Sequence, residues 1–329
     1  MGIAILIFPC YTVSYTILTN YAVFFSRGRR FFMDTESKTL LLIFNPRAGR
    51  SKPRGPLFDA LARLSEGGYL VRIHQTTAPG DAAETAAREG GKYDLVVASG
   101  GDGTLNEVIS GLSRLEHPPL LGYMPQGSTN DFAASLHLPP DPEQAAAAIL
   151  QGRVQVLDIG RWNQRYFVYV ASFGAFTRTS YSAPQAAKNA LGHFAYILEG
   201  MKDLNSLRPY RVRLTADGEN LDGEYLFGAV CNSTSIGGLM KLDPARVVLD
   251  DGRFELLLIP NPKTAVGLQN LIFALLNQDY TSGGVVFRHV SHLHLETDTE
   301  LPWSLDGEYA PSVPEVDIVN RQAALRMLL

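Results

Sequence analysis

The sequence has few cysteines: only Cys10 and Cys231 occur in 329 residues. Two cysteines cannot build a disulfide framework, and their spacing matches no metal-binding motif. The sequence also lacks a basic excess, since 29 Lys and Arg stand against 33 Asp and Glu and the formal net charge is -4. A nucleic-acid-binding protein normally carries such an excess, so we expect no nucleic-acid partner. These features favour an intracellular, mixed α/β enzyme.

The composition is not that of a disordered or fibrous chain. Hydrophobic residues make up 46% and charged residues 19% of the sequence, which provides enough apolar surface for a folded core and excludes general disorder. The 30 glycines follow no triplet repeat, which excludes collagen. At roughly 150 residues per domain, the length predicts about two domains.

Charged residues are missing from Met1 to Phe25, and three arginines then follow within residues 27–30. The length and the basic flank fit one membrane span with a cytoplasmic body, although polar residues interrupt the apolar run. Three interpretations of the leader, residues 1–37, stay open. It is an extension upstream of a natural start at Met33, a membrane or interfacial anchor, or an ordered extra element.

Short apolar runs alternate with helical patterns between residues 38 and 150. Strands that alternate with helices at this spacing predict an α/β domain with a parallel sheet and crossover helices. Ligands of such sheets bind at the carboxyl ends of the strands, beside helix N-termini. The predicted strands are Leu40–Phe44, Tyr69–Ile73, Asp94–Ala98 and Leu120–Tyr123.

Residues 151–329 show a different pattern of alternating, turn-bounded strands. We therefore expect a second, mostly antiparallel β domain, with the boundary between Pro139 and Gly152. Whether its last residues return to the first domain stays open. The predicted strands are Arg165–Phe176, Tyr210–Thr215, Tyr225–Cys231, Arg253–Ile259 and Val285–Leu295.

The strongest local motif runs from Ser99 to Glu107 (SGGDGTLNE), where a predicted strand ends and a helix begins. Its glycines let the backbone approach a ligand closely, and the helix start presents unpaired N–H groups to an anion. Asp102 is a carboxylate that bound phosphates would repel unless a cation lay between them. Two further turns, Asn45–Gly49 and Pro125–Asp131, follow neighbouring strands and should meet it at one sheet edge.

These motifs resemble the diacylglycerol kinase catalytic-domain superfamily, which includes bacterial lipid kinases and sphingosine kinases. The resemblance spans about Leu40 to the C-terminus and implies an NAD kinase/diacylglycerol kinase-like α/β domain. NAD kinases and phosphofructokinases have similar glycine motifs, but the combination with the later segments is specific. The matching segments are Asn45–Gly49, Gly80–Ala82, Gly100–Glu107, Pro125–Phe132, Asn232 with Gly237 and Gly238, Leu249–Gly252 and Trp303–Glu308.

The resemblance implies ATP- and Mg²⁺-dependent transfer of the γ-phosphoryl group to a lipid hydroxyl, with ATP between the two domains. Ser128 stands where the family usually has Thr, a change that keeps the hydroxyl group. Carried over by position, the nucleotide contacts fall on Asn45, Pro46, Gly49, Thr76, Thr77, Gly100, Gly101, Asp102, Gly103, Thr104, Asn106, Glu107, Gly127, Ser128, Asn130 and Asp131.

The catalytic residues that the resemblance implies are Asp102, Asp306 and Glu308. Asp102 would help to place the metal, and Asp306 or Glu308 would accept the proton of the lipid hydroxyl. The last two are two residues apart on a predicted strand, so we expect them on one face, where each raises the proton affinity of the other. The same Asp-Gly-Glu sequence occurs at Asp217–Glu219 and Asp222–Glu224, where we expect turns, and a turn is the alternative for the third copy.

A structural Mg²⁺ is implied at Asp251. In bacterial relatives the corresponding Asp holds the ion together with backbone carbonyls, which here belong to Val248 and Arg253, and such hard oxygen ligands suit Mg²⁺. The segment is equally an ordinary Asp-Gly hairpin turn. Both interpretations stay open.

Two other functions also stay open. An NAD-kinase-like phosphotransferase that acts on a soluble nucleotide would explain the glycine motif but not Asn130–Phe132 or the late acidic pair. A catalytically inactive relative would bind nucleotide or lipid. For the lipid kinase we expect ATP and Mg²⁺ as cofactors, a lipid partner at the membrane surface, and a cytoplasmic, peripherally membrane-associated protein. The acceptor and the oligomeric state, a homodimer included, stay open.

Overall fold

A computed structural model of the chain describes residues 38–48, 55–127, 130–174, 208–236, 240–280 and 282–329, and the backbone of residues 5–8, 11–18, 21–26 and 29–34. The leader forms four strands that pair antiparallel in sequence order, so its described backbone is extended rather than helical. They are β1 (Ile5–Phe8), β2 (Tyr11–Leu18), β3 (Tyr21–Ser26) and β4 (Arg29–Asp34). Within the described ranges, none of the helices has both the length and the apolar character of a membrane span.

The next part of the chain is an α/β domain, which confirms the predicted fold class. Its elements are β5 (Lys38–Phe44), α1 (Gly55–Glu66), β6 (Tyr69–Gln75), α2 (Asp81–Glu89), β7 (Leu95–Gly100), α3 (Asp102–Leu112), β8 (Leu120–Pro125), α4 (Asp131–Ser135) and α5 (Pro142–Gln151). The strands are parallel in the order β8-β7-β5-β6. Leu41 and Ile43 pack with α2 and α3 on one face, whereas Leu40 and Leu42 pack with α1 and α5 on the other. Burial on both faces explains the unbroken apolar runs in the sequence.

Helix α5 lies where we predicted only a domain boundary. The Asp141 carboxylate accepts a hydrogen bond from the Gln144 N–H at 3.0 Å, and Pro142 takes the first helical position, where no N–H is needed. Ala145, Ala146 and Ile149 are buried on its inner face. The cap and the alanine run are readable in the sequence, although the prediction placed only a boundary between Pro139 and Gly152.

The second part is mostly antiparallel, as predicted. Two predicted strands are wrong in detail, because the chain changes neighbours within each: 165–176 holds β10 and β11, and 285–295 holds β18 and β19. The elements are β9 (Val154–Trp162), β10 (Arg165–Phe167), β11 (Val170–Gly174), β12 (Tyr210–Ala216), β13 (Glu219–Asn220), β14 (Gly223–Cys231), β15 (Ser235–Ile236), β16 (Met240–Lys241), β17 (Phe254–Pro260), α6 (Ala265–Leu276), β18 (Val286–Val290), β19 (His292–Glu296), β20 (Trp303–Leu305), β21 (Glu308–Ala310) and β22 (Glu315–Leu328).

Strand β22 joins the two parts. Its first half pairs with β19, and its length pairs antiparallel with β9. Its end pairs parallel with β8, where Met327 lies opposite Leu121. A bulge between Arg321 and Leu325 shifts the pairing register, which allows one strand to pair with all three partners. The last residues of the chain therefore complete the first sheet, and one 16-stranded sheet runs through both parts.

Candidate active site

Three turns meet at the carboxyl edge of the parallel sheet. They follow β5, β7 and β8, which are adjacent strands, and their backbones are joined by hydrogen bonds. The Asn45 N–H donates to the Ser99 carbonyl at 2.9 Å, and the Gln126 N–H donates to the Gly100 carbonyl at 2.7 Å. The predicted convergence of these turns is therefore present in the described residues.

The second and third turns touch through glycine. A Cβ atom at Gly127 would lie 2.7 Å from the Gly101 Cα atom, which leaves no room for a side chain. Asn130, in the left-handed region with φ 53°, holds the third turn. Its Oδ1 accepts from the Gly127 N–H at 2.8 Å, and its Nδ2 donates to the Gly127 carbonyl at 3.1 Å. These residues, predicted as nucleotide contacts, shape the turn.

Asp102 is the first residue of α3, where the positive end of the helix dipole favours a carboxylate. Its Oδ1 accepts from the Phe132 N–H at 3.4 Å, which links the start of α3 to the start of α4. Of the other predicted residues here, Gly49 and Ser128 lie outside the described residues, and only the backbone of Asp131 is described.

Asn45 connects the first turn to α3. Its Nδ2 donates to Thr104 Oγ1 at 3.0 Å, and its Oδ1 accepts from the Arg47 N–H at 2.9 Å. Pro46 lies within the same turn. Gly100 permits this packing, because a Cβ atom there would lie 2.5 Å from Thr104 Oγ1.

Helix α3 is also joined to the start of α2. Both carboxylate oxygens of Glu107 accept backbone hydrogen bonds, from Gly80 at 2.8 Å and from Ala82 at 3.2 Å. Asp81 accepts from the backbone and hydroxyl of Thr77, and the backbone bond is the main cause that lowers the pKa of Asp81 to about 2. The carboxylate of Glu107, a predicted nucleotide contact, is thus committed to holding α2.

A cavity of about 410 Å³ opens beside these turns. It brings together eight of the predicted site residues with Arg47, Arg165 and Tyr309. Two domains contribute, because Arg165, Glu308 and Tyr309 come from the β-rich part. The predicted residues that line it are Asn45, Thr76, Thr77, Gly103, Thr104, Asn106, Glu107 and Glu308.

The predicted placement of Asp306 and Glu308 on one strand face is wrong. Asp306 and Gly307 have φ of 50° and 84° and form a two-residue turn between β20 and β21. Glu308 is the first residue of β21. Because the chain reverses between them, the two carboxylates enter different environments.

Asp306 is buried, with 3% of its surface exposed. Its Oδ1 accepts from the N–H groups of Tyr169 and Val170, both at 3.0 Å, and its Oδ2 accepts from the Val168 N–H at 2.7 Å. The Asn106 amide donates to the same Oδ2 at 2.7 Å. Burial raises the pKa of Asp306, and these hydrogen bonds oppose the rise. A raised pKa would suit a base, but all four acceptor positions of the carboxylate are already occupied.

Glu308 is exposed and faces the cavity. A Cβ atom at Gly103 would lie 3.1 Å from Glu308 Oε1, so this carboxylate lies directly against the first turn of α3. Among the described residues it has no hydrogen-bond or ion-pair partner. Of the two late carboxylates, Glu308 is the one available to a ligand.

Arg165 is a site residue that sequence reasoning missed. It follows the turn at Asn163 between β9 and β10, and its Nη1 donates to the Tyr309 carbonyl at 3.4 Å. No motif surrounds it, and an arginine after a hairpin turn is common on surfaces. Arg165 is a phosphate-binding candidate only because it lines the same cavity as Arg47 of the first turn.

The predicted structural Mg²⁺ turn does not line this cavity. Asp251 Oδ1 accepts from the Arg253 N–H at 2.9 Å, as in an ordinary Asx turn, and Val248 is 48% exposed. The Gly252 N–H donates to the buried Asp158 at 2.7 Å, which ties this turn to β9. Ion binding by Val248, Asp251 and Arg253 stays a prediction.

Two family models together match nearly the whole chain after the leader. The diacylglycerol kinase catalytic domain matches residues 39–162, and the YegS C-terminal NAD kinase beta sandwich-like domain matches residues 170–328. The diacylglycerol kinase of Bacillus subtilis (strain 168) is 36% identical over 282 residues, which cover 84% of this chain and 92% of that protein. The chain belongs to the diacylglycerol kinase family. A second diacylglycerol kinase, from Staphylococcus aureus (strain MRSA252), is 34% identical over 280 residues, which cover 84% and 88% of the two chains.

Solved structures agree with this family. A diacylglycerol kinase from Bacillus anthracis str. Sterne superposes with a TM-score of 0.71 at 26% identity, covering 90% of this chain and 98% of that chain. A putative diacylglycerol kinase from the same strain has a TM-score of 0.73 at 25% identity, with the same coverage. As a member of the diacylglycerol kinase family the chain is a kinase, and kinase membership implies the use of ATP.

Proposed function

We propose that this protein is an ATP-dependent lipid kinase of the diacylglycerol kinase type, which phosphorylates the hydroxyl of a membrane lipid. The curated relatives at 34–36% identity carry the name diacylglycerol kinase, which supports a lipid acceptor. We further propose that a cytoplasmic protein reaches this acceptor at the membrane surface, because a lipid hydroxyl lies at the interface between lipid and water.

One observation carries the proposal: the uncommitted carboxylate of Glu308 lies against Gly103, at the start of the helix that should bind phosphates. A hydroxyl group bound between this carboxylate and the γ-phosphate would be able to give its proton to Glu308. General-base catalysis of this kind contributes about 10²–10⁴-fold to a rate. Neither a nucleotide-binding module nor a structural protein needs such a carboxylate there.

In the proposed reaction the acceptor oxygen bonds to the γ-phosphorus, while the bond from that phosphorus to the β,γ-bridging oxygen breaks and ADP leaves. Glu308 takes the proton from the hydroxyl. The N–H groups at the start of α3 and the guanidinium groups of Arg47 and Arg165 suit the negative charge of the phosphates. Phosphoryl transfer depends mainly on such positioning and charge neutralisation.

The donor set also fits Mg²⁺, which prefers carboxylate oxygens. Asp102 is a half-buried carboxylate at the phosphate-binding turn, and we propose that it holds the ion with the phosphates. When bound, Mg²⁺ would neutralise phosphate charge. The carbonyls of Val248 and Arg253 with Asp251 would hold a separate, structural ion.

The test uses the full chain, labelled ATP and Mg²⁺ with dispersed diacylglycerol, a sphingoid base, a polyprenol and a glycolipid, and with NAD as a soluble acceptor. We expect label in one of the lipids and none in NAD. Label in NAD would instead favour the NAD-kinase-like activity. ATP binding without any labelled product would favour the inactive relative, and either result would overturn the proposal.

A further inference from the structure

Helix α3 contacts the turn at Asp306 in two places, one helical turn apart. Gly103 lies against Glu308, and Asn106 donates from its Nδ2 to Asp306 Oδ2 at 2.7 Å. Residues three apart lie on the same face of a helix, so these two contacts form one continuous seam. The seam connects the phosphate-binding helix of one domain to the acidic turn of the other.

Both donors of the Asn106 amide nitrogen bind residues of the β-rich part. Its Nδ2 also donates to the Tyr166 carbonyl at 3.1 Å, so both of its donors are used. Two acceptors around one nitrogen also fix the orientation of the amide. Asn106 was predicted as a nucleotide contact, but its Nδ2 has no donor left for a nucleotide.

We propose that Asn106 is a positioning residue, which couples α3 to the Asp306 turn and so sets the place of Glu308 beside the phosphates. Asp306 transmits the coupling, because its remaining acceptor positions hold the backbone of Val168–Val170. The role of Glu308 in this inference rests on the proposed function. The seam itself does not depend on it.

The first test is Asn106→Leu, which keeps the size of the side chain and removes both hydrogen bonds. A misplacement of about 1 Å costs up to about 10²-fold in rate, so we expect kcat to fall about 10- to 100-fold while the KM for ATP changes less than about twofold. A large rise in this KM would show that Asn106 binds the nucleotide. An unchanged kcat in the folded variant would show a merely structural role. Either result overturns the proposal.

The matched control is Ser110→Ala, one turn further along α3. The Ser110 hydroxyl reaches only Asn106 Oδ1, at the long distance of 3.5 Å, and neither acceptor of the Nδ2. We expect its kcat and KM to match those of the unmodified protein. A loss equal to that of Asn106→Leu would mean that any change on this helix face slows the reaction, and the specific coupling would be refuted.

Asn106→Asp gives a second signature. It places a carboxylate against Asp306, and two carboxylates at this distance repel unless they share a proton. The ratio of the kcat of this variant to that of the unmodified protein should rise as pH falls, whereas the ratio for Asn106→Leu should stay flat. The charged groups Arg47, Asp102, Glu107, Arg165 and Glu308 are present in all these proteins, and Asn106→Leu, which adds no charge, is the control for their titration. A flat ratio for Asn106→Asp would refute the contact between the two side chains.

Amide hydrogen exchange separates this inference from the proposed function. With Asn106→Leu the Asp306 turn should loosen, and the N–H groups of Val168, Tyr169 and Val170 should exchange faster. This measurement needs no substrate, so it decides the coupling even if no lipid is phosphorylated by the unmodified protein. Unchanged exchange at all three positions would overturn the coupling, whatever the activity shows.

Discussion

Two regions of this chain share the sequence Asp-Gly-Glu and the same two-residue turn, but only one of them faces the cavity. Asp217 and Gly218 have φ of 46° and 86°, and Asp306 and Gly307 have nearly the same values. Each pair joins two antiparallel strands, β12 to β13 and β20 to β21. Local sequence and local backbone are therefore the same, and the difference between the turns comes from what surrounds them.

The first turn is a surface connection. The exposed Asp217 accepts hydrogen bonds from the N–H groups of Ser291 and His292 and from the Ser291 hydroxyl, at 2.8–2.9 Å. Glu219 forms an ion pair with Arg288 at 2.9 Å. Both carboxylates are occupied by contacts with residues 288–292, and neither is available to a ligand.

In the second turn the two carboxylates differ in role: one is bound within the structure and the other faces the cavity. Asp306 has the structural role in a buried site, and Glu308, at the edge of the cavity, has no partner among the described residues. The comparison shows that the contacts of a carboxylate, and not its local sequence, separate the one we propose as the base from the three others. In the proposed mechanism the neighbouring Asp306 holds Glu308 in place.

The largest effect expected is that of Glu308→Gln on turnover. Because the variant cannot accept the proton, kcat should fall about 10²–10⁴-fold. An exposed residue without a partner adds little to stability, so the free energy of unfolding should change by less than about 0.5 kcal/mol. Steady-state kinetics and denaturant unfolding measure the two quantities. Glu219→Gln is the matched control from the other turn, and an equal loss of kcat in both variants would contradict the assignment.

The next effect is that of Asp306→Asn on stability. An amide in this buried site turns its own N–H donors toward backbone N–H groups, and each unsatisfied buried donor costs about 1–3 kcal/mol. The free energy of unfolding should fall by about 2–5 kcal/mol, as measured by urea unfolding. Asp217→Asn should cost about 1 kcal/mol or less, since water reaches its donors. Similar losses in the two variants would remove the distinction between the turns.

The pKa values of the two aspartates should be shifted in opposite directions. Burial raises the pKa of Asp306, whereas for Asp217 burial is outweighed by the hydrogen bonds from Ser291 and His292, which lower its pKa. A lowered pKa contributes stability above the unfolded value of about 3.9 that is lost as pH falls. The stability difference between the unmodified protein and Asp217→Asn should therefore shrink below about pH 4. A raised pKa has the opposite sign, so acid should relieve a penalty at Asp306.

Carbon-13 NMR of the carboxyl groups, assigned with the two Asn variants, measures both pKa values directly. Asp217 is expected below, and Asp306 above, the ordinary range of an aspartate. Titration of both at the same pH would mean that burial does not raise the pKa of Asp306 and that the two turns differ less than their contacts indicate.

The smallest effect expected is that of Glu219→Gln on stability. Its ion pair with Arg288 is exposed, and such pairs contribute little and are screened by salt. The melting temperature should fall slightly at low ionic strength and not at all at high ionic strength. A large, salt-independent fall in the melting temperature would show that the carboxylate of Glu219 also contributes substantially to the stability of the fold.

Much of the fold was readable because its signals are local. The buried strands of the first sheet are short apolar runs. The turn between β7 and α3 is marked by glycines, because any other side chain there would clash. Strand β22 was missed: its alternation at Val316 and Ile318 breaks at the bulge near Ala323, where φ is 53°. Two of its three partners, β8 and β9, lie far away in the sequence, so no local pattern predicted it.

The candidate site was likewise predicted only in part. The meeting of the three turns was predicted because parallel strands bring their carboxyl ends together, and residues within them, such as Asn45 and Thr104, were predicted from the resemblance to the family. Arg165 was missed because it lies in an ordinary hairpin. The roles of Asp306 and Glu308 could not be separated, because spacing reveals which residues are near each other in the chain but not which become buried.

By itself, the sequence determined the class of the fold, the turns at the edge of the sheet and the acidic residues among which a base is to be sought. The fold class and the turns follow from hydrophobic periodicity and from the need for glycine where backbones touch, and the acidic residues follow from the resemblance to the family. Only the tertiary structure decided that Asp306 is saturated and Glu308 is available. The donors to Asp306 come from residues 106 and 168–170, and burial against such distant partners sets both the hydrogen bonds of a carboxylate and its freedom to react.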